Sequence, residues 1–266
     1  MRTRFAEHIA WVTGAGSGIG RAVALELARE GCDVAVSGRR AEPLAETVRQ
    51  IETLGRRALA LPCDVRDEDE VSRVADRIAA ELGRIDVAVA NAGFGVAGRI
   101  EDLGVADWHR QLDTNVIGAA LTAKHALRHL RQTNGRLALV GSVAAFVPIE
   151  KNGAYVASKA ALRSIGLTLA VELAGSGTTC TTLHPGFVEN DLSKMEPHER
   201  PDPEWREERP HRLLWPTDRA ARVMVRGIHR RTPELVFTAH GKVFAFIGQH
   251  FPGLVVLAMS MARKRG

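Results

Sequence analysis

Eight residues near the start of the chain, Thr13-Gly14-Ala15-Gly16-Ser17-Gly18-Ile19-Gly20, constrain its fold more than any others. An apolar run over 9–13 leads into them. Behind them Ile19, Val23 and Leu27 recur at i, i+4 and i+8 and predict a helix closed by Gly31. A strand that turns sharply into a helix through glycines gathers backbone N–H groups at a positive helix terminus, which suits a pyrophosphate. Any tight turn also uses glycine. The strand before and the helix after favour the anion-binding reading. With isoleucine at 19 the spacing is T-G-x-x-x-G-x-G, distinct from the commoner G-x-G-x-x-G fingerprint.

The rest of the chain repeats this alternation. Short apolar runs at 34–37, 58–61, 85–90, 137–140 and 179–183 read as buried strands, and a last one falls near 235–238. A long helical stretch covers 154–174, ended by Gly175 and Gly177; a shorter one covers about 218–231, and 111–124 reads as ordinary helix. Buried strands separated by helices give an α/β fold, a parallel sheet covered on both faces. The 266 residues suffice for one such domain, drawn here as 1–266. Composition agrees, with 45% hydrophobic and 25% charged residues. The net charge of +5 comes from basic residues interleaved with acidic ones, and aromatics are few, so nucleic-acid binding is not expected. Three distant cysteines without a CxxC pair argue against a disulfide framework or a metal site and suit a reducing, cytoplasmic setting. Glu7 and His8 follow Arg2 and Arg4 with no long apolar run, which does not read as a signal peptide.

The second strand ends in Gly38-Arg39-Arg40, about twenty residues beyond the glycine turn, where NAD-binding chains of this kind tend to carry an acid for the ribose 2′-hydroxyl. Here the acid position holds Gly38 and two guanidinium groups follow. Both changes favour the 2′-phosphate of NADP(H) over NAD(H), although two solvated arginines before a helix would look the same. Tyr155 and Lys159 stand four apart on a predicted helix and share a face. At about 5.5 Å and an effective dielectric near 20, an ammonium favours the phenolate by about 3 kcal/mol, or roughly two pKa units. The phenol could then give or take a proton near neutrality. Ser142 closes the fifth strand at the carboxyl edge of the sheet, where a hydroxyl is either a cap or a group facing the cleft. Asn115 is a poor interior helix residue and calls for a hydrogen-bonding task.

In order along the chain stand T-G-x-x-x-G-x-G at 13–20, Asn91-Ala92-Gly93, Asn115, Ser142, Tyr155-x-x-x-Lys159 and Pro185-Gly186. Over about 7–190 this ordered set resembles the short-chain dehydrogenase/reductase family. The resemblance implies a single doubly wound Rossmann-type domain with a seven-stranded parallel sheet and a nicotinamide cofactor. It implies that Tyr155 is the general acid in carbonyl reduction and the base in reverse. Lys159 would lower its pKa and hold the nicotinamide ribose, Ser142 would bond the substrate oxygen, and Asn115 would anchor a water that relays protons through Lys159. Gly14, Ser17, Gly18, Ile19 and Gly20 would cradle the pyrophosphate. Asp64 would meet the adenine and Asn91 would lie near the cofactor at the sheet centre, while Val65, Ala92, Gly93, Pro185, Gly186 and Val188 would also belong to the cofactor site. Two departures stand out: Ala90 where an asparagine is common, and Asn190 where a threonine usually holds the carboxamide.

Phe94, Val96, Val143, Phe146, Val147, Ile149 and Phe187 fall near the expected cleft, and about half of them are expected to pack the core instead. An apolar wall fits a lipophilic ketone, aldehyde or secondary alcohol. The segment 196–215, rich in proline and in charges of both signs, leaves the alternation, and 187–217 is read as a substrate lid. The 20 residues 243–262 carry no formal charge and precede Arg263-Lys264-Arg265; Gln249, His250, Pro252 and Gly253 divide them into two short apolar helices. This extension, 239–266, is expected to pack on the pocket or on another subunit of a homodimer or homotetramer, with peripheral membrane contact as the third reading. The leading function is an NADP(H)-dependent carbonyl–alcohol oxidoreductase. The alternatives are a non-catalytic NADP-sensing regulator and an epimerase or dehydratase on the same scaffold.

Overall fold

The structure is a computed structural model that describes residues 3–189 and 211–263. Seven strands form one sheet in the order β3-β2-β1-β4-β5-β6-β7, every neighbouring pair parallel. They are β1 (Ile9–Thr13), β2 (Asp33–Gly38), β3 (Ala58–Pro62), β4 (Val87–Ala90), β5 (Arg136–Val140), β6 (Thr179–His184) and β7 (Glu234–Val236). The order reverses between β1 and β4, which opens a crevice at their carboxyl ends.

The helices are α1 (Gly18–Arg29), α2 (Ala41–Thr53), α3 (Glu68–Leu82), α4 (Val105–Leu112), α5 (Gly118–Leu130), α6 (Gly153–Glu172), α7 (Thr217–His229), α8 (Ala239–His250) and α9 (Pro252–Arg263). Side chains alternate across the strands, so β1 feeds two cores. On one face Ala10 and Val12 meet Val23 and Leu27 of α1, Leu44 and Ile51 of α2, and Met224 and Ile228 of α7. On the other, Ile9 and Trp11 belong with Val71 and Ile78 of α3, Ala126 of α5 and Leu162 of α6. Each fully buried Leu or Ile contributes about 1.5–3 kcal/mol. Trp11 is buried whole because its indole N–H finds Ser37 Oγ at 2.9 Å.

Three local departures from the sequence reading have physical causes. The fourth strand begins at Val87, since the buried Asp86 carboxylate accepts the N–H of Ile9 at 2.9 Å and pairs with Arg84. The stretch 111–124 is not one regular helix: a π-turn, Asp113–Ile117, separates α4 from α5. The last strand is shorter than expected because Thr238 leaves it to cap α8, accepting from the Gly241 N–H at 3.1 Å. Gly31, Gly175 and Gly177 adopt positive φ just beyond α1 and α6, as their helix-ending positions predict. Asn190 and most of the charged segment 196–215 fall outside the described residues, and so does most of 187–217, read above as a lid; at its two ends Val188 pairs with Trp215.

Two apolar helices follow β7, as read, and they differ in placement. α8 packs on the body through its small residues Gly241, Ala245 and Gly248; a Cβ on Gly248 would lie 2.1 Å from the Phe146 carbonyl oxygen. α9 bends away from α8 by 113°. No single described helix is long and apolar enough to cross a membrane.

Candidate active site

The crevice holds a cleft of about 250 Å³. Its floor is the glycine turn. Gly14 and Gly18 sit at φ 64° and 53°, which L side chains reach only with strain. A Cβ on Gly20 would stand 2.3 Å from the Gly14 carbonyl oxygen and 2.4 Å from Asn91 Nδ2, so nothing larger than glycine lets α1 approach the turn. The turn is braced from three directions. Asn91 Nδ2 donates to Thr13 O at 3.0 Å, Thr47 Oγ1 donates to Ala15 O at 3.0 Å, and Arg21 donates to Gly16 O. Ser17 is the N-cap of α1, but its hydroxyl makes no cap bond, and the first turn of that helix carries no acid. Its positive end therefore faces the cleft without a neutralising carboxylate, as a dinucleotide pyrophosphate requires.

All the residues expected to meet the cofactor border this cleft: Gly14, Ser17, Gly18, Ile19 and Gly20, then Arg39, Arg40, Asp64 and Val65, then Asn91, Ala92 and Gly93, and Pro185, Gly186 and Val188. Asp64 is held by Arg66, with Nη2 2.6 Å away, which together with the field of Arg39 keeps its carboxyl below the usual range. Gly16 of the turn and Gly38 at the acid position also line the cleft, as do Pro43, Leu44 and Cys63, which were not singled out from sequence. Cys63 carries no chemistry there, since burial pushes its thiol up to about 12.

Opposite the turn stand Tyr155, Lys159 and Ser142. α6 places Tyr155 and Lys159 on one face, with Lys159 Nζ 5.7 Å from the phenol ring centre. That ammonium is buried, donates to Val140 O at 2.9 Å, and is brought down to about 8 by desolvation. The Tyr155 ring lies against Gly95, where a Cβ would come within 3.5 Å of Cδ2. Ser142 is both cap and cleft group: its Oγ accepts from the Ala144 N–H at 3.1 Å and borders the cleft.

Asn115 does not border the cleft, although its neighbour Thr114 does. The π-turn aims its amide into the loop after β4. There Oδ1 accepts from Phe94 N at 3.0 Å, and Nδ2 donates to Phe94 O at 2.9 Å and Ser158 Oγ at 3.0 Å. Its side chain thus clasps the Gly93–Gly95 loop to α6. Gln111, one turn earlier and fully buried, adds bonds to Val96 N at 2.7 Å and Phe94 O at 2.8 Å. Both side chains fix the loop that Tyr155 packs on.

A second set of residues lies behind Ser142. Its carbonyl is 3.0 Å from Nδ1 of His184, whose Nε2 is 3.1 Å from Glu234 Oε1; Glu234 also accepts from Arg163 Nε at 2.6 Å. His184 is fully buried. Arg163 follows Tyr155 and Lys159 at the next i+4 position of α6, so this chain ties the tyrosine's helix to the serine's strand. His184 and then Arg163 hold the Glu234 carboxyl down at about 2. Of the seven residues expected to form an apolar wall, Phe94 alone borders the cleft, and Val96 and Val143 are buried in the body. Phe187 stacks on His240 at 5.1 Å, Phe146 packs between His184 and Arg163, and Ile149 is 37% exposed.

Comparison with known proteins agrees with this geometry. The family model described as short chain dehydrogenase matches residues 8–201. A cis-4-hydroxycyclohexanecarboxylate dehydrogenase from Sinomonas cyclohexanicum is 39% identical over 194 residues, 72% of this chain and 78% of that protein. A short chain dehydrogenase from Burkholderia cenocepacia, solved in complex with NADP, superposes with a TM-score of 0.76 at 32% identity, covering 87% of this chain and 96% of that one. Carveol dehydrogenase from Mycobacterium avium, solved with NAD, gives 0.70 at 28% identity over 72% and 75% of the two chains. The chain belongs to the short-chain dehydrogenase/reductase family and is an oxidoreductase acting on CH–OH groups.

Proposed function

We propose that this protein interconverts a carbonyl and an alcohol on a lipophilic small molecule, with NADP(H) as the preferred cofactor and Tyr155 as the general acid/base. The observation that carries the reading is one cleft bordered by the glycine turn, by Arg39 and Arg40, and by Ser142, Tyr155 and Lys159. The nicotinamide, when bound, supplies or accepts the hydride. The chain's own task is to hold the substrate oxygen and move one proton. Ser142 hydrogen-bonds that oxygen, and the Tyr155 hydroxyl delivers the proton in reduction and removes it in oxidation. Lys159, an ammonium below about pH 8, stabilises the phenolate left behind.

Preference for NADP(H) follows from Gly38 at the acid position and from two guanidinium groups at the cleft edge. Of the two neighbours above, the NADP-bound one is the more similar and the other holds NAD. The names of two relatives, a hydroxycyclohexanecarboxylate and a carveol dehydrogenase, support a secondary alcohol on a ring, in keeping with Phe94 at the cleft edge. With this reading go a reducing cytoplasmic setting, which the three buried free cysteines suit, and a homodimer or homotetramer, for which Val105 and Ile117 offer exposed apolar surface.

Isothermal titration tests the cofactor assignment: NADPH is expected to bind at least about tenfold more tightly than NADH, and the reverse order overturns it. A panel of cyclic ketones and secondary alcohols, followed by cofactor absorbance, tests the chemistry. Tyr155→Phe should lower turnover by about 100-fold or more. Wild-type turnover in that variant would remove Tyr155 from its role.

A further inference from the structure

α8 inverts the usual order of a globular helix. Its small residues Gly241, Ala245 and Gly248 are buried against the body, while Val243, Phe244 and Phe246 face outward, Phe246 at 60% exposure. α9 has no body-facing side of that kind. Leu254, Val256, Leu257, Met259 and Met261 are each 41–60% exposed, and at ~100° per residue they are spread around the helix, not along one stripe. A partner protein, including a second copy of this chain, covers one side of such a helix and leaves the others in water. A surrounding apolar medium covers them all.

Charge indicates which medium. No acidic residue follows Glu234, whereas Lys242, Arg263, Lys264 and Arg265 bracket the uncharged stretch 243–262. An apolar segment flanked only by cations complements anionic lipid head groups. With the two helices bent by 113° and neither long enough to cross, the pair fits one leaflet, where acyl chains surround α9 while the cations stay at the head groups. We propose that α8 and α9 dock this protein on the surface of an anionic lipid bilayer. The start of α8 adjoins the cleft, since a Cβ on the cleft residue Gly186 would lie 2.5 Å from His240 Nε2; on the function proposed above, a lipophilic substrate would arrive there from the membrane.

The test is co-sedimentation of the full chain with phosphatidylcholine vesicles, with and without about one third phosphatidylserine, at low and high salt. The wild type should pellet with the anionic vesicles and bind at least about tenfold more weakly to neutral ones or in high salt. Phe246→Glu/Leu257→Glu and Arg263→Glu/Lys264→Glu/Arg265→Glu should each lose about tenfold or more, and the former should keep the wild-type melting temperature, since Phe246 and Leu257 are exposed. A wild type that stays in the supernatant overturns the proposal, as does vesicle binding unchanged in both variants. A wild-type oligomer that ignores vesicles and dissociates in Phe246→Glu/Leu257→Glu would assign the surface to a second copy instead.

Discussion

Lys159 is expected to cost this protein stability in exchange for chemistry. Burial brings its ammonium from 10.5 to about 8, which corresponds to about 3 kcal/mol of desolvation borne by the folded state while the group stays charged. Between those values the unfolded chain binds more protons than the folded one, so this cost is present in full below pH 8, shrinks as pH rises, and is gone above 10.5. In Lys159→Met the new side chain fills the volume of the lysine stem. It also leaves the Val140 carbonyl without its donor, at about 1 kcal/mol. The cofactor-free variant should therefore be about 2 kcal/mol more stable at pH 7, a rise of about 4–8 °C in Tm for a chain of this size. Turnover should fall by about 100-fold or more. Urea titrations of both proteins at pH 7, 9 and 10 read the difference, which should narrow with rising pH. A variant less stable than wild type at pH 7, or a difference independent of pH, would refute the reasoning.

Gly20→Ala places a methyl 2.3 Å from the Gly14 carbonyl and should displace the turn, costing about 1–3 kcal/mol of stability and about tenfold or more in NADPH affinity by titration. Glu234→Gln removes a carboxylate whose pKa falls from 4.5 to about 2 on folding, a loss of about 3 kcal/mol at neutral pH. Because the folded pKa is the lower one, that difference is full above about pH 4.5 and vanishes as pH falls through about 2, which paired urea titrations down the acid limb would show.

What could be read from the sequence was local. Glycines at 14, 18 and 20 fix a strand–turn–helix within eight residues, and Tyr155 and Lys159 share a face because a helix repeats every 3.6 residues. Such spacings need no knowledge of the rest of the fold, so the glycine turn and the Tyr155/Lys159 pair were expected from the residues themselves, whereas the seven-stranded sheet and the cofactor residues at 64–65, 91–93 and 185–188 were expected only through the family resemblance. The braces were not. Thr47 reaches Ala15 across 32 residues and Arg163 reaches Glu234 across 71, separations that no short motif encodes. Asn115 lies between these cases. An amide inside an apolar helix announced a task, but its partners Phe94 and Ser158 appear only once the π-turn has aimed it. Likewise 243–262 read as two short apolar helices, while the choice of Gly241, Ala245 and Gly248 as the buried side depends on the Val143–Val147 segment they meet.

The π-turn Asp113–Ile117 has an evolutionary corollary. One surplus residue per turn separates α4 from α5, and losing any one of the five would let the two merge into a single regular rod. That rod would be the better helix. It would also swing Gln111 or Asn115 about 100° off the Phe94 backbone and release the loop beneath the phenol. Single-residue deletions here should thus cost stability, through a stranded buried amide, and activity together, so that selection on both preserves the irregularity.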